Sequence, residues 1–204
     1  MLFEDTYKTI ASPSEGVFKD RGSKFIAKAF PVKTEDEVKN HLETLHKAYY
    51  DARHHCYAYQ LGFDKSTYRI NDDGEPSGTA GKPIFGQINS HDLTNILIVV
   101  IRYFGGTKLG VSGLINAYRT ASKEAISNGE MITNIIRDIY RIEFQYTEMN
   151  EVMKVMKTFN LDQCNQIFET NCRLDFEVRK SESNQVYEKL NIIKSLNINF
   201  LKSV

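Results

Sequence analysis

The chain has 204 residues with 26 basic and 26 acidic side chains, so its formal net charge is zero. This length can bury the core of one large domain or of two small ones. The charge balance excludes a strongly basic nucleic-acid binder, so any basic surface must be local. Three cysteines without a C-x-x-C pair, no signal-peptide pattern and no long apolar run predict a cytoplasmic protein that does not enter a membrane.

The first predicted elements are a hairpin and a helix. Residues 20–23 form a turn between two strands, the second of which runs over 24–32. Thr34 and Glu37 have the spacing of a capping box, and the apolar residues that follow recur at helical spacing. A helix is therefore expected after the hairpin.

Two aromatic-rich strands and one buried strand are predicted next. Residues 54–63 and 66–71 contain the aromatic and β-branched residues that favour strands. The aliphatic run within 95–104 does not alternate, so it predicts a central strand with both faces buried. A helix is predicted from about residue 111 to residue 128, and Gly129 is placed to end it.

The chain after Gly129 has no glycine and no proline, and its apolar pattern changes repeatedly between period 2 and helical spacing. The resulting order is β-α-β-β-α-β, the ferredoxin-like arrangement of two helices on an antiparallel sheet. We therefore predict an α+β protein with two domains, residues 1–132 and 133–204. In the second domain, strands are predicted at 142–146, 166–169, 174–178 and 198–200, and helices at 149–159 and 186–193.

Eight of the twelve glycines lie between residues 74 and 113, and seven of these are in two loops at 72–83 and 102–113. The second loop leads from a buried strand into a helix, so free backbone N–H groups and the helix dipole would favour an anion. Arg102 and Lys108 would add positive charge. The glycines that would let the backbone approach a ligand are Gly105, Gly106 and Gly110. The loop matches no complete nucleotide-binding motif, and a tight structural connection is the alternative.

The first loop contains three acidic residues within four positions. Asp72, Asp73 and Glu75 could act as general bases or as ligands of a hard metal ion. Turn chemistry, in which the Asp side chains accept from backbone N–H groups, is the alternative. His54 and Cys56 share one face of a predicted strand, but two ligands do not make a zinc site. The sequence predicts no catalytic residue, no metal site and no cofactor.

The two loops also resemble a known family. The signature of the IMPACT/YigZ family is similar to three segments, D-D-G-E-P-S-G-T-A-G-K-P-I at 72–84, V-V-I-R-Y-F-G-G-T-K-L-G at 99–110 and G-L-I-N-A-Y at 113–118. The resemblance covers about 18–128, and the segment after it is similar to the C-terminal domain of bacterial members. Ser112 departs from the small residue expected there, and its hydroxyl at the helix start is compatible with anion binding.

The resemblance implies a first domain with the fold of the second domain of ribosomal protein S5. It implies a second domain like the last domain of elongation factor G. Eukaryotic members carry a further N-terminal protein-binding domain, for which this chain has no room. They inhibit an amino-acid-starvation kinase by competing for its ribosome-associated activator, and nucleic-acid binding is suggested for bacterial members. Such kinship of fold is only an analogy for function.

Residue by residue, the family's motif positions are Arg21, Lys24, Arg53, His54, Asp72, Asp73, Glu75, Pro76, Thr79, Lys82, Pro83, Arg102, Tyr103, Gly105, Gly106, Lys108, Leu109, Gly110 and Tyr118. Among these, the candidate ligand- or anion-binding residues are Arg53, His54, Asp72, Asp73, Glu75, Thr79, Lys82, Arg102, Gly105, Gly106, Lys108 and Gly110.

Three hypotheses for the function stay open. In the first, both loops form a face that contacts RNA, the ribosome or a ribosome-associated protein in translation or stress control. In the second, the protein is an enzyme or binder for a phosphorylated or nucleotide ligand, which residues 105–113 hold. In the third, the loops pack on each other and have a purely structural role. The oligomeric state is left open.

Overall fold

A computed structural model describes residues 5–204 of the protein. The chain divides into two compact units, one of residues 7–134 and one of residues 135–204 together with residues 5 and 6. Helices and antiparallel sheets occur in both units, which confirms a protein of mixed α and β structure.

The first unit contains a five-stranded antiparallel sheet and three helices. Its elements are β1 (Thr6–Ile10), β2 (Ser14–Asp20), β3 (Ser23–Pro31), α1 (Glu35–Ala48), β4 (His54–Leu61), β5 (Thr67–Asn71), α2 (Gly81–Ser90), β6 (Ile96–Tyr103), α3 (Gly110–Asn128) and β7 (Met131–Ile135). The sheet order is β2-β3-β6-β4-β5, and all neighbouring strands are antiparallel. Strands β1 and β7 pair in a separate two-stranded sheet.

Strand β6 is the centre of the sheet, as its continuous aliphatic run predicts. Ile98 and Val100 belong to the core formed with α2 and α3. Leu97 and Val99, on the other face, belong to the core formed with α1. Because successive side chains point to opposite faces, a strand covered by helices on both sides must be apolar at every position.

The predicted hairpin and helix cap are confirmed. Strands β2 and β3 pair from Ser14 to Asp20 across the turn at 20–23. The Thr34 side chain accepts from the Glu37 backbone N–H at 3.2 Å and so caps α1. In a capping box the Glu37 carboxylate would accept from the N–H of the cap residue, Thr34. Here it accepts instead from the N–H of Lys33, at 2.6 Å.

Helix α2 and the β1–β7 pair were not among the predicted elements. Helix α2 begins within the predicted loop 72–83. Its glycines and proline are typical of a loop, so the helical spacing of the buried residues Ile84 and Ile88 was not recognised. Pro83 lies in the first turn, where its missing N–H leaves no hydrogen bond unmade. Strands β1 and β7 are five residues each, too short for a period-2 pattern to be distinctive.

Helix α3 ends at Asn128 as predicted, but Gly129 is not left-handed. Its backbone is extended, with φ −90° and ψ 154°. A Cβ at this position would lie 2.8 Å from Ser14 Oγ. The glycine therefore permits the close approach of Ser14 and does not form a left-handed helix cap.

The second unit has the predicted order β-α-β-β-α-β. Its elements are β8 (Arg137–Gln145), α4 (Met149–Thr158), β9 (Asp162–Ile167), β10 (Asn171–Arg179), α5 (Ser183–Asn191) and β11 (Asn197–Ser203). The antiparallel sheet has the order β11-β8-β10-β9. Its core contains the predicted methionine and leucine stripes of the two helices, including Met156 and Leu190.

Strand β9 starts four residues earlier than predicted. It is mostly polar and exposed, so its sequence has no alternating apolar residues that could locate it. The predicted position rested on Ile167 and Phe168, which lie at the end of the strand and in the turn after it.

Among residues 5–204, every helix is too short or too polar to span a lipid bilayer.

Candidate functional site

Strands β4 and β6 place a histidine and an arginine side by side. His54 and Arg102 are directly opposite each other in the antiparallel register of the two strands. By the alternation of side chains, both share a face with Cys56 and Val100, which pack in the core under α2 and α3. Glu75, from the first loop, forms an ion pair with Arg102, and its Oε1 is 4.0 Å from His54 Nε2.

Arg102 is the most buried cation of this group. Its side chain is 7% exposed, and its Nη1 donates to Glu75 Oε1. The guanidinium carbon lies 5.4 Å from the centre of the Phe25 ring and 5.6 Å from that of Phe104, within cation–π range. Arg102 Nε is buried without a hydrogen-bond partner among the described residues. An unpaired buried donor costs about 1 to 3 kcal/mol, so a bound ligand that satisfied it would gain affinity.

Glu75 is connected to two buried protonated groups. Its Oε1 accepts from the Tyr118 hydroxyl at 2.9 Å, and Cys56 Sγ lies 3.3 Å from that hydroxyl oxygen. Burial raises the pKa of the Cys56 thiol and the pKa of the Tyr118 hydroxyl well above their ordinary values. Both groups are therefore protonated at neutral pH, and Cys56 lacks the thiolate that a nucleophile needs.

One ring nitrogen of His54 is hydrogen-bonded to the backbone, and the other lies toward the Glu75 carboxylate. Its Nδ1 lies 2.8 Å from the Asp73 carbonyl oxygen, which can only accept. Nδ1 must therefore carry a hydrogen. In the neutral ring Nε2 then presents a lone pair, and in the charged ring it becomes a second donor.

Asp72 holds the start of α2. Its Oδ1 accepts from the backbone N–H groups of Ala80 and Gly81, and its Oδ2 accepts from that of Gly78, at 2.8 to 3.0 Å. Burial opposes ionisation of this carboxyl, but the three hydrogen bonds outweigh it and hold its pKa below the ordinary value. Asp72 is thus a helix cap supplied from eight residues upstream, and its oxygens already have partners.

Asp73 and Thr79 of the first loop also have hydrogen-bond partners within the protein. Asp73 Oδ2 accepts from the His55 N–H at 2.6 Å, and the Asp73 N–H donates to Asn71 Oδ1. Thr79 is 2% exposed, and its hydroxyl donates to the Pro76 carbonyl. Lys82 is exposed on α2 and borders a different groove. The turn-chemistry alternative is therefore the one the structure supports for Asp72 and Asp73.

Of the three glycines selected in the second loop, one packs against protein and two lie in open space. A Cβ on Gly105 would come within 1.9 Å of the Gly22 carbonyl carbon, so this glycine permits contact with the β2–β3 turn. Gly106 and Gly110 have positive φ angles of 85° and 74°, and a Cβ on either would meet nothing among the described residues within 4 Å. The start of α3 is therefore accessible.

Residues of both loops, of the start of β4 and of the end of β6 surround a cleft of about 470 Å³. Its polar and charged lining includes the buried Arg102–Glu75 pair and the exposed Arg53 and Lys108. Much of the remaining lining is apolar. The lining residues are Arg53, His54, Glu75, Pro76, Arg102, Phe104, Lys108, Leu109, Gly110, Val111 and Leu114.

Six of the twelve candidate residues line the cleft and six do not. Those in the cleft are Arg53, His54, Glu75, Arg102, Lys108 and Gly110. Those outside its lining are Asp72, Asp73, Thr79, Lys82, Gly105 and Gly106. Phe104 and Val111 also line the cleft and were not among the candidates, although an aromatic residue between an aliphatic run and a glycine pair is a signal that could have indicated the first. Residues 5–204 contain no group of three His, Cys, Asp or Glu side chains that could hold a metal ion.

The chain is similar to proteins of one family. The family model for the Impact N-terminal domain matches residues 21–126, just over half of the chain. The IMPACT family member YvyE of Bacillus subtilis is 33% identical over 147 residues, which are 72% of this chain and 68% of that protein. The IMPACT family member YigZ of Escherichia coli is 36% identical over 118 residues, 57% of this chain and 58% of that protein. In this second match the chain spans less than two thirds of its relative.

A solved structure has the same fold along the whole chain. It is a crystal structure of a hypothetical protein with 25% sequence identity and a TM-score of 0.74, and the match covers 98% of this chain and 99% of that one. With the domain match and the identity to YvyE and YigZ, it is clear that this chain belongs to the IMPACT family.

Proposed function

We propose that this protein is a binding and regulatory protein of translation or stress control. In this proposal it contacts RNA, the ribosome or a ribosome-associated protein through the cleft and the two loops beside it, 72–83 and 102–113. Membership of the IMPACT family supports the link to regulation.

One observation carries the proposal: the cleft combines an excess of positive charge with an open helix start. Arg53, Arg102 and Lys108 are three cations against the single carboxylate of Glu75. Gly110, the first residue of α3, is exposed in the same cleft. Because a helix N-terminus adds partial positive charge and free N–H groups, the cleft favours an anionic partner.

The fold gives further support from analogy. We propose that the chain consists of two domains, 1–132 and 133–204, the first like the second domain of ribosomal protein S5. The second would be ferredoxin-like and resemble the last domain of elongation factor G. In favour of this, its strand order β11-β8-β10-β9 is 4-1-3-2 when the strands are numbered along the unit. Folds shared with translation factors suggest a partner class, but the site must establish it.

The test is co-sedimentation of the tagged protein with ribosomes from lysate at low and moderate salt. We expect salt-sensitive sedimentation that is lost in a variant carrying both Lys108→Ala and Arg53→Ala, since contacts with phosphates weaken as salt rises. Arg102→Ala is unsuitable here because it would leave the buried Glu75 unpaired.

A matched control removes the same kind of charge elsewhere. Lys39 is exposed on α1, which packs on the opposite face of the sheet from α3. Lys39→Ala should sediment like the native protein. If the native protein does not sediment at low salt, or if the control loses as much as the double variant, the proposal is wrong.

A further inference from the structure

We propose that the cleft binds one nucleotide of a single-stranded RNA, with its base against Phe104 and a phosphate at the start of α3. The strand continues along the exposed face of α3 toward Lys82 and Arg119. This inference rests on the proposed function and names the ligand of the same site.

The phosphate position follows from the start of α3. The helix has no acidic residue in its first turn, and no side chain among residues 5–204 caps it. The second observation is Arg102, a side chain 93% buried that lines the cleft and has an Nε without a described partner. Together they offer free backbone N–H groups and the unpartnered Nε–H of an ion-paired guanidinium, with which phosphate oxygens would form charge-assisted hydrogen bonds.

The base position follows from the apolar side of the cleft. Phe104 is 47% exposed and Val111 is 60% exposed, and both border the cleft. The Arg102 guanidinium lies over the Phe104 ring, which fixes that ring at the edge of the charged region. A phosphate alone leaves these apolar surfaces in water, whereas a nucleotide base stacks on them.

The volume of the cleft suits a small ligand or one nucleotide of a strand. Its volume of about 470 Å³ falls in the range of about 300 to 1,000 Å³ that is usual for small-molecule sites. An RNA duplex keeps its bases stacked inside the helix and cannot present one to an aromatic ring. The geometry therefore selects a single strand.

The continuation along α3 distinguishes a strand from a free nucleotide. Beyond the cleft, the exposed residues Ser112, Asn116, Arg119 and Lys123 follow one another at helical spacing, with two cations and no acid. A second groove of about 420 Å³ lies beside them and is bordered by Lys82 and Arg119. From Gly110 to Lys123 the helix rises by about 20 Å, which is long enough for several nucleotides.

The experiment measures fluorescence polarisation of a labelled single-stranded RNA hexamer as a function of salt. Phe104→Leu keeps an apolar side chain and removes the stacking ring, and it should weaken binding about tenfold. Arg119→Ala should lower the salt slope of the logarithm of affinity by about 0.7, the effect of one phosphate contact on a single strand. The control variants are Tyr50→Leu, which replaces an aromatic residue 84% exposed, and Lys39→Ala. Both should bind like the native protein.

Competitors identify the source of the nucleotide. Uridine monophosphate should compete far more weakly than the unlabelled hexamer, and a duplex of equal length should not compete. Equal competition by the monophosphate would mean that the cleft serves a free nucleotide and would overturn the proposal. Competition by acetyl-leucine, a carboxylate with an apolar side chain, would assign the cleft to a peptide terminus. If Phe104→Leu bound the hexamer as tightly as the native protein, the base would not stack on Phe104 and the proposal would be wrong.

The ribosome experiment separates this inference from the proposed function. If the native protein sediments with ribosomes but does not bind the hexamer, the single-strand inference fails and the translation-linked function stands. If neither binding occurs, both fail.

Discussion

The two glycine-rich loops have similar compositions and different roles. In the loop 72–83, Asp72 and Asp73 accept from backbone N–H groups of the protein itself, and Thr79 is buried. In the loop 102–113, Lys108 is exposed and Gly110 opens into the cleft. Asp72, Asp73 and Thr79 of the first loop are thus hydrogen-bonded within the protein, whereas the second loop exposes its lysine and a helix start to a partner.

This difference shows what makes a polar residue available for binding. A carboxylate that accepts from three backbone N–H groups has little capacity left for a ligand, so its removal lowers the stability of the fold. An exposed lysine beside a free helix N-terminus contributes little to stability, so its removal weakens the binding of a partner and leaves the fold almost unchanged. Arg102 joins the two loops, because its ion pair with Glu75 spans them.

The largest expected effect comes from breaking that link. Arg102→Ala leaves the Glu75 carboxylate buried without its cation, so the free energy of unfolding should fall by about 3 to 5 kcal/mol. Urea denaturation followed by circular dichroism measures the loss. The double variant Arg102→Met with Glu75→Gln removes both charges and should recover most of it. A double variant as unstable as Arg102→Ala would show that the ion pair is not the cause.

Gly105→Ala should be the next most damaging change. The new Cβ would lie 1.9 Å from the Gly22 carbonyl carbon, and both partners are backbone, so about 3 kcal/mol of stability should be lost. Gly106→Ala is the matched control in the same loop. It meets open space and bears only the cost of its positive φ, about 1 to 2 kcal/mol. Equal losses in the two variants would contradict the steric explanation.

Asp72→Asn should cost about 1 to 2 kcal/mol, because its amide nitrogen would replace the oxygen that accepts from the Gly78 N–H and leave that donor unpaired. The effect depends on pH. Because the folded pKa of Asp72 is lower than the ordinary value of 3.8, its ionisation stabilises the fold above that pH. This contribution disappears as the pH falls through the folded pKa. The difference in unfolding free energy between native protein and variant should therefore be full at pH 6 and shrink below pH 3.8. A difference independent of pH would refute this role.

Lys108→Ala should have the smallest effect on stability, less than about 0.5 kcal/mol, because the side chain is exposed. Calorimetric titration with inorganic phosphate at low salt should nevertheless show weaker binding than in the native protein. This variant and Asp72→Asn thus separate the open loop from the closed one. A loss of stability as large as that of Asp72→Asn would mean that Lys108 has a structural role.

Several elements could be predicted because their signals are local. The aliphatic run of β6, the turn at 20–23 and the Thr34 cap each depend on neighbouring residues, and each was found. Helix α2 was missed because its capping residue, Asp72, lies nine positions before the first residue of the helix, outside the range of a local capping motif. Strand β9 was misplaced because an exposed polar edge strand has no apolar alternation.

The sequence by itself determined the family, the mixed α and β character, the central strand and the two loops that border the cleft. Those properties follow from local periodicity, from turn residues and from motif spacing. Only the tertiary structure decided that Asp72 caps a helix while Glu75 lies in the cleft, although the two are only three positions apart. It also decided that Phe104 lines the same cleft as His54. Whether a polar group is satisfied or available depends on distant segments that pack against it, and no local pattern encodes that contact.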